Sequence, residues 1–318
     1  MNLPLFFIHI PKTAGTSLRM SADQYFGREQ IGLNYGFKAK ETSDWVRDEI
    51  CLNKDFFEIV NRHRAGECDF YTGHVHLKPH AGVFEQRNIF TFVRNPVDQV
   101  LSHYNHFVQY NGFEGTLEEF ICKPQFKNVQ SGMLNGYQPE IIGYIGITEN
   151  YNESLSIIND LYGIELVSRQ LNVNSNPVVR NVEESDVKLI LKNNVHDVAL
   201  YNKAKELHHS RVKLNTDKLP WTYGLIGHVG QHRIGGWAFS SEGDDVIELV
   251  VFKNSKIIGK IKANEARHNL MQCNIPRGAY VGYSMNINAE VGDIYEVKVL
   301  ATGQSLGKKE ITQQTLVK

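Results

Sequence analysis

The strongest constraint on how this chain can fold is a strand-to-helix turn that occurs twice. Leu3 to His9 is a short, nearly continuous apolar run closed off by Pro11, the pattern of a strand buried on both faces of a parallel sheet. It runs into the loop Pro11-Lys12-Thr13-Ala14-Gly15-Thr16-Ser17, after which Leu18, Met20 and Ala22 continue as a helix that Thr16 or Ser17 can cap. The design returns at Asn88. Ile89-Phe90-Thr91-Phe92-Val93 is a strand, Arg94-Asn95 a turn, and Pro96 stands where a first helical turn tolerates it, ahead of Val97, Val100, Leu101, Tyr104 and Val108 at helical spacing. Further helices are expected over residues 54–62, 116–122, 151–162, 185–193 and 197–211, and further strands over 70–72, 144–147 and 165–167. Strands alternating with helices imply an α/β fold with a P-loop-like, doubly wound parallel sheet.

Near Pro220 the texture changes. Short alternating segments at residues 247–252, 256–261, 280–285 and 295–300, separated by turns such as Glu242-Gly243-Asp244 and Gly292-Asp293, read as all-β. The expectation is an α/β domain over residues 1–219 followed by a small all-β sandwich over 220–318. With 42% apolar and 22% charged residues the chain can bury a core. Its net charge of -1 gives no overall field toward nucleic acid or anionic lipid, so an anion must be held by a local site. Cys51, Cys68, Cys122 and Cys273 are scattered, without metal or disulfide spacing, and read as reduced thiols. The N-terminal apolar run lacks a basic flank, a cleavage site and the length to span a bilayer, which points to a cytoplasmic protein with no membrane span.

The loop at 11–17 suits an anion, because glycine, small side chains and hydroxyls at a strand-to-helix turn let backbone N–H groups close around it, and Lys12 adds a positive charge. It departs from the Walker pattern, since the lysine precedes the glycine. Arg94 ends a parallel strand, where open α/β sheets bind ligands and a guanidinium can hold phosphate in two-pronged fashion; Ser102 lies in the second turn of the helix that follows.

These residues resemble a known family. Phe7-Ile8-His9-Ile10-Pro11-Lys12-Thr13-Ala14-Gly15-Thr16-Ser17 is similar to the 5'-phosphosulfate loop of the carbohydrate sulfotransferases related to heparan sulfate 2-O-sulfotransferase (sulfotransferase family 2), and Phe92-Val93-Arg94-Asn95-Pro96 with Ser102-His103-Tyr104 resembles their 3'-phosphate motif. Weaker echoes are Asn128-Val129-Gln130 with Leu134, and Ile145-Gly146-Ile147-Thr148-Glu149 leading to Ser154-Leu155. The resemblance covers roughly residues 1–211. It implies an enzyme that moves a sulfonate group from 3'-phosphoadenosine 5'-phosphosulfate (PAPS), leaving 3'-phosphoadenosine 5'-phosphate (PAP), onto a hydroxyl of a glycan or glycolipid, without a metal. It further implies that Lys12, Thr13, Ala14, Gly15, Thr16 and Ser17 hold the 5' end while Arg94 and Ser102 hold the 3'-phosphate. Gly73-His74-Val75 is similar to the segment bearing the family's catalytic histidine, so His74 is the candidate base, with Lys12 stabilising the leaving phosphate. Heparan-type members carry a second histidine two positions earlier; here that place is Thr72, and His76 is the other candidate for the supporting role or for the base itself.

Other features read more plainly. His74, His76 and His80 have the spacing of metal ligands on one strand face, but no further ligand falls at a matching interval, and His80 reads as a surface loop residue. His208-His209 reads as a solvated helix end, Glu149 and Asp160 as capping or solvated carboxylates, and the asparagine-rich stretch 172–176 with Arg180 as a loop able to close over the donor. In the β region Gly235-Gly236-Trp237-Ala238, Ala263, Arg267 and Gly282-Tyr283 look like modules appended to bacterial glycan-modifying transferases, Trp237 itself reading as a core aromatic. A P-loop kinase and a catalytically inactive glycan-binding protein are the alternatives, and a homo-oligomer stays open.

Overall fold

The computed structural model describes residues 3–168 and 182–316, so the expected loop at 172–180 lies outside the described residues. The chain divides into two compact units, Met1–His208 and His209–Lys318.

The first unit is built on a five-stranded sheet of β1 (Leu5–Ile8), β2 (Ile31–Asn34), β3 (Phe70–Gly73), β4 (Ile89–Val93) and β5 (Tyr144–Ile147), in the order β2-β3-β1-β4-β5. All four pairings are parallel, with Phe7 opposite Thr72 on one side and opposite Phe90 on the other. Every residue of β2 to β5 is buried, as a parallel sheet covered on both faces requires. Helices α1 (Gly15–Phe26), α2 (Glu58–Arg64), α3 (Pro96–Tyr110), α4 (Leu117–Cys122), α5 (Val129–Met133), α6 (Tyr151–Tyr162), α7 (Glu184–Asn193) and α8 (Val195–Thr216) supply the rest, the unit boundary falling within α8. Among the described residues no helix is long and apolar enough to cross a membrane.

Two local expectations are corrected and one strand is added. The strand expected at 165–167 does not form, because the Asn159 side chain takes both the N–H and the carbonyl of Leu166 and Ser21 Oγ takes the N–H of Val167, leaving nothing for a ladder. The helix expected from residue 54 begins at Glu58, since Lys54 stands in the left-handed region at φ 61° and breaks the turn after a π-helical stretch, Val46–Leu52. Strand β2 was invisible as a pattern. It runs past Gly32, where an added Cβ would come within 2.6 Å of the Trp45 ring and 2.8 Å of the Tyr71 ring.

The second unit carries two four-stranded antiparallel sheets. Strands β6 (Thr222–Val229), β7 (Arg233–Ser240), β10 (Glu265–Ala266) and β11 (Tyr280–Asn286) form one; β8 (Glu248–Lys253), β9 (Lys256–Lys262), β12 (Ile294–Val299) and β13 (Ser305–Glu310) form the other. Ile226, Ile234 and Tyr283 of the first sheet share one buried cluster with Leu249, Val251, Tyr295 and Val297 of the second. Trp237 is buried, stacked on Phe239. Cys51, Cys68, Cys122 and Cys273 are all free thiols.

Candidate active site

The strand order decides where chemistry can gather. Because β1 lies between β3 and β4, and successive strands extend to opposite sides of it, the segments leaving these three strands emerge side by side at the carboxyl edge, where the winding reverses. Those segments are His9 to Ser17, His74, and Arg94-Asn95. They line a single cleft of about 970 Å³ in the first unit. Lys12, Ala14, Gly15, Thr16, Ser17, His74, Arg94 and Ser102 all border it, together with His9 and Thr148.

The backbone at residues 10–12 is held by side chains. Thr13 Oγ1 donates to Ile10 O at 2.9 Å, Gln99 Nε2 to Pro11 O at 3.0 Å, and Arg94 Nη1 to Lys12 O at 3.4 Å. Thr13 is thus fully buried, its hydroxyl bracing the loop, and of the loop residues singled out in the sequence it alone does not line the cleft with its side chain. Lys12 and Ala14 both have φ 67°, a conformation that costs a non-glycine residue about 1–2 kcal/mol and that alternates with ordinary backbone to form a concavity of N–H groups. The expected cap by Thr16 or Ser17 is not made. Ala14 is the N-cap residue and offers no side-chain acceptor; the Ser17 N–H turns back to the Ala14 carbonyl at 3.1 Å, which leaves the amides of Gly15 and Thr16 as the first-turn donors that a ligand could take.

Gly15 has a steric reason. A Cβ there would stand 2.0 Å from Cδ2 of the His9 ring, so only glycine lets α1 begin this close to β1. Burial, and secondarily the nearby Arg94 guanidinium, lower the pKa of Lys12 from its ordinary value.

Arg94 is fixed through its backbone. Its N–H donates to Gln130 Oε1 and its carbonyl accepts from Gln130 Nε2, both at 2.9 Å. Gln130 is fully buried at the start of α5, and Asp197 Oδ2 accepts its N–H at 3.1 Å while Oδ1 accepts the N–H and the hydroxyl of Ser131. Burial raises the Asp197 pKa and these three donors oppose the rise. Glu149, expected to cap or to be solvated, accepts the N–H of Asn95 at 2.7 Å.

His74 Nδ1 lies 2.6 Å from the carbonyl of His9. A carbonyl only accepts, so Nδ1 carries the proton and Nε2 the lone pair. The ring opens on the cleft yet has protein around it; burial and then the Lys12 charge lower its pKa, against the pull of the His9 carbonyl, and it is neutral at pH 7. His74 and His76 diverge: His76 does not line the cleft, and its Nδ1 contacts Gly132 O at 3.1 Å. His80 is corrected from surface to core. It is 3% exposed, packed on Phe6 and Phe56, and burial pushes its pKa down to about 4. These divergent settings give the three histidines no common ligand position. His208 is likewise no solvated helix end, because α8 continues past it and its ring is buried between Tyr144 Oη and Glu153 Oε2, each at 2.8 Å.

Sequence reasoning passed over His9, Gln99 and Tyr35, whose hydroxyl meets His9 Nδ1 at 2.9 Å. For His9 the signal was present. It ends a parallel strand just ahead of the loop, the same position that drew attention to Arg94.

No protein-family model matches the chain, and no curated protein matches it. Among solved structures, a sulfotransferase from Alicyclobacillus acidocaldarius is similar at 16% identity over 66% of this chain and 97% of that one, with a TM-score of 0.39. The mouse sulfotransferase SULT7A1 complexed with PAP is similar at 13% identity over 62% of this chain and 67% of that one, with a TM-score of 0.33. Likeness at these levels assigns no family, and the functional reading rests on the cleft itself.

Proposed function

We propose that the chain is a PAPS-dependent O-sulfotransferase that acts on a hydroxyl of a glycan or glycoconjugate. The observation that carries this reading is the meeting, in one cleft, of two separate anion-binding elements and a neutral histidine with a bare Nε2. One element is the loop at 11–17, with its left-handed backbone at Lys12 and Ala14 and the Lys12 charge; the other is Arg94, with Ser102 on the first turns of α3. Two such elements suit a nucleotide with phosphate at both its 5' and 3' positions, which distinguishes PAPS from ATP. The resemblance of both motifs to those of carbohydrate sulfotransferases supports the same assignment.

PAPS supplies an activated sulfonate whose leaving group is a phosphate. Around it, the loop amides and Lys12 hold the 5' end and offset the negative charge that grows as the bond to sulfur breaks. Arg94 and Ser102 hold the 3'-phosphate, and the Gln130 clamp on the Arg94 backbone keeps that guanidinium in place. His74 accepts the acceptor hydroxyl proton at Nε2, while the His9 carbonyl supports the positive charge that develops on the ring. Residues 1–219 carry donor binding and transfer in this reading, and residues 220–318 form an accessory module that engages glycan or a partner subunit.

Thermal melting with PAP, set against ATP plus magnesium, tests the donor. A ligand bound only by the folded state raises the melting point, so stabilisation by PAP in excess of ATP is expected, and the reverse order would replace this reading with a kinase. Labelled PAPS against a glycan panel then tests transfer; binding without transfer to any acceptor would leave a glycan-binding protein.

A further inference from the structure

His9 is only 6% exposed, and it borders the cleft. Its ring is fixed by Phe7, stacked at 5.7 Å, and by His74, at 4.5 Å. Its Nε2 edge abuts the first residue of α1, for a Cβ at Gly15 would come within 2.3 Å of Nε2. Nδ1 meets the Tyr35 hydroxyl at 2.9 Å, and among the described residues Nε2 has no hydrogen-bond partner.

A neutral imidazole has one donor and one acceptor nitrogen, and the partner of one decides the role of the other. Burial first, then the neighbouring His74 and the charges of Arg19 and Lys12, hold the His9 pKa well below the ordinary value, so the ring stays neutral. Tyr35 keeps its phenolic proton, its pKa pushed up to about 12 by burial. A phenol is a better donor than acceptor and an imidazole nitrogen lone pair a good acceptor, so the hydroxyl donates to Nδ1. The ring proton then sits on Nε2, at the mouth of the loop.

We propose that His9 donates its Nε2–H to the 5'-phosphate held by the loop at 11–17, with Tyr35 as the positioning residue that selects this tautomer. The proposal rests on the reading of the cleft as a PAPS site. It gives the two neighbouring histidines opposite tasks through opposite tautomers. His74 donates from Nδ1 to the His9 carbonyl and keeps Nε2 bare for a proton; His9 accepts at Nδ1 from Tyr35 and offers Nε2–H to the anion.

Isothermal titration of the full chain with PAP tests this. A hydrogen bond to a charged group corresponds to a loss of roughly ten-fold or more when removed, so His9→Phe, which keeps a ring and the backbone carbonyl, should weaken PAP about ten-fold. His9→Gln, whose side-chain amide keeps a donor at similar reach, should recover most of that loss, and Tyr35→Phe should weaken PAP by about three-fold because the tautomer is no longer imposed. PAP binding to His9→Phe at wild-type strength would overturn the proposal, whereas failure of the wild-type chain to bind PAP would overturn the functional reading instead. Should His9→Phe not fold, nitrogen-15 NMR of wild-type His9 decides. A proton on Nε2 that shifts when PAP is added is expected, and a proton on Nδ1 would sink the idea.

Discussion

The two strand-to-helix turns of the first unit solve the same problem in opposite ways. After β4 the chain caps its own helix: the Asn95 side chain accepts the Val97 N–H at 2.9 Å and Pro96 occupies the first helical position, where no donor is needed. After β1 it does neither, leaving the start of α1 uncapped behind two left-handed non-glycine residues. A helix start satisfied from within has little left for a ligand, so in the proposed site the anion at the second turn falls to the Arg94 guanidinium. At the first turn the proposed binding group is the backbone itself, and the left-handed residues Lys12 and Ala14 are the strain that such a turn carries.

The largest effect that can break this contrast is on turnover. His74→Ala should lower kcat by about 10²- to 10⁴-fold in a transfer assay with donor and acceptor both saturating, while PAP affinity stays within about two-fold. Lys12→Ala should lower both, since that ammonium sits at the loop itself. Retained turnover in Lys12→Ala would refute the first turn as the reacting end, and retained turnover in His74→Ala would refute that histidine as the base.

Acid should weaken the first unit at two buried histidines. His80, packed on β1, and His103, on α3, are each held neutral with a pKa near about 4, burial being the first cause in both. The unfolded chain binds protons at these histidines below about pH 6.5, so stability falls as pH drops from 6.5 toward 4, by about 1.4 kcal/mol per pH unit for each such group. Denaturant midpoints across that range should flatten in His80→Phe and, separately, in His103→Phe; a flat wild-type profile would contradict the burial.

Gly15→Ala drives a methyl into the His9 ring and should lower stability by about 1–3 kcal/mol, with a matching loss of PAP affinity, read by melting and titration. Asn95→Ala is the smallest and sharpest comparison. It removes a cap worth about 1 kcal/mol, so the melting point should fall while PAP affinity is unchanged, because in the proposed site the ligand meets the Arg94 side chain and not that turn's amides. An equal loss of affinity there would erase the distinction between the turns.

Much of this was legible in the chain itself, for identifiable reasons. Ile89–Val93 and Tyr151–Tyr162 match their expected bounds because continuous apolar runs and helical periodicity are local signals. Strand β2 was not legible, since four residues containing a glycine carry no period; it exists because Tyr71 and Trp45 leave room for a bare backbone beside β3. His80 and His208 were misread for a related reason: burial is a property of what packs against a residue, and Phe56 or Glu153 lie far from them in sequence.

The sequence by itself determined that two strand-loop-helix turns exist, that one carries Pro11 to Ser17 and the other Arg94, and that an all-β region follows, because strand, turn and helix preferences act over a few residues. Only the tertiary structure decided that β1 stands between β3 and β4, which brings His74 and Arg94 to the same loop. It also decided that His9 belongs with them and that α1 starts without a side-chain cap. Strand order and peptide orientation are settled by long-range pairing and by carbonyls that find partners as distant as Gln99 and Arg94, and no local pattern encodes either.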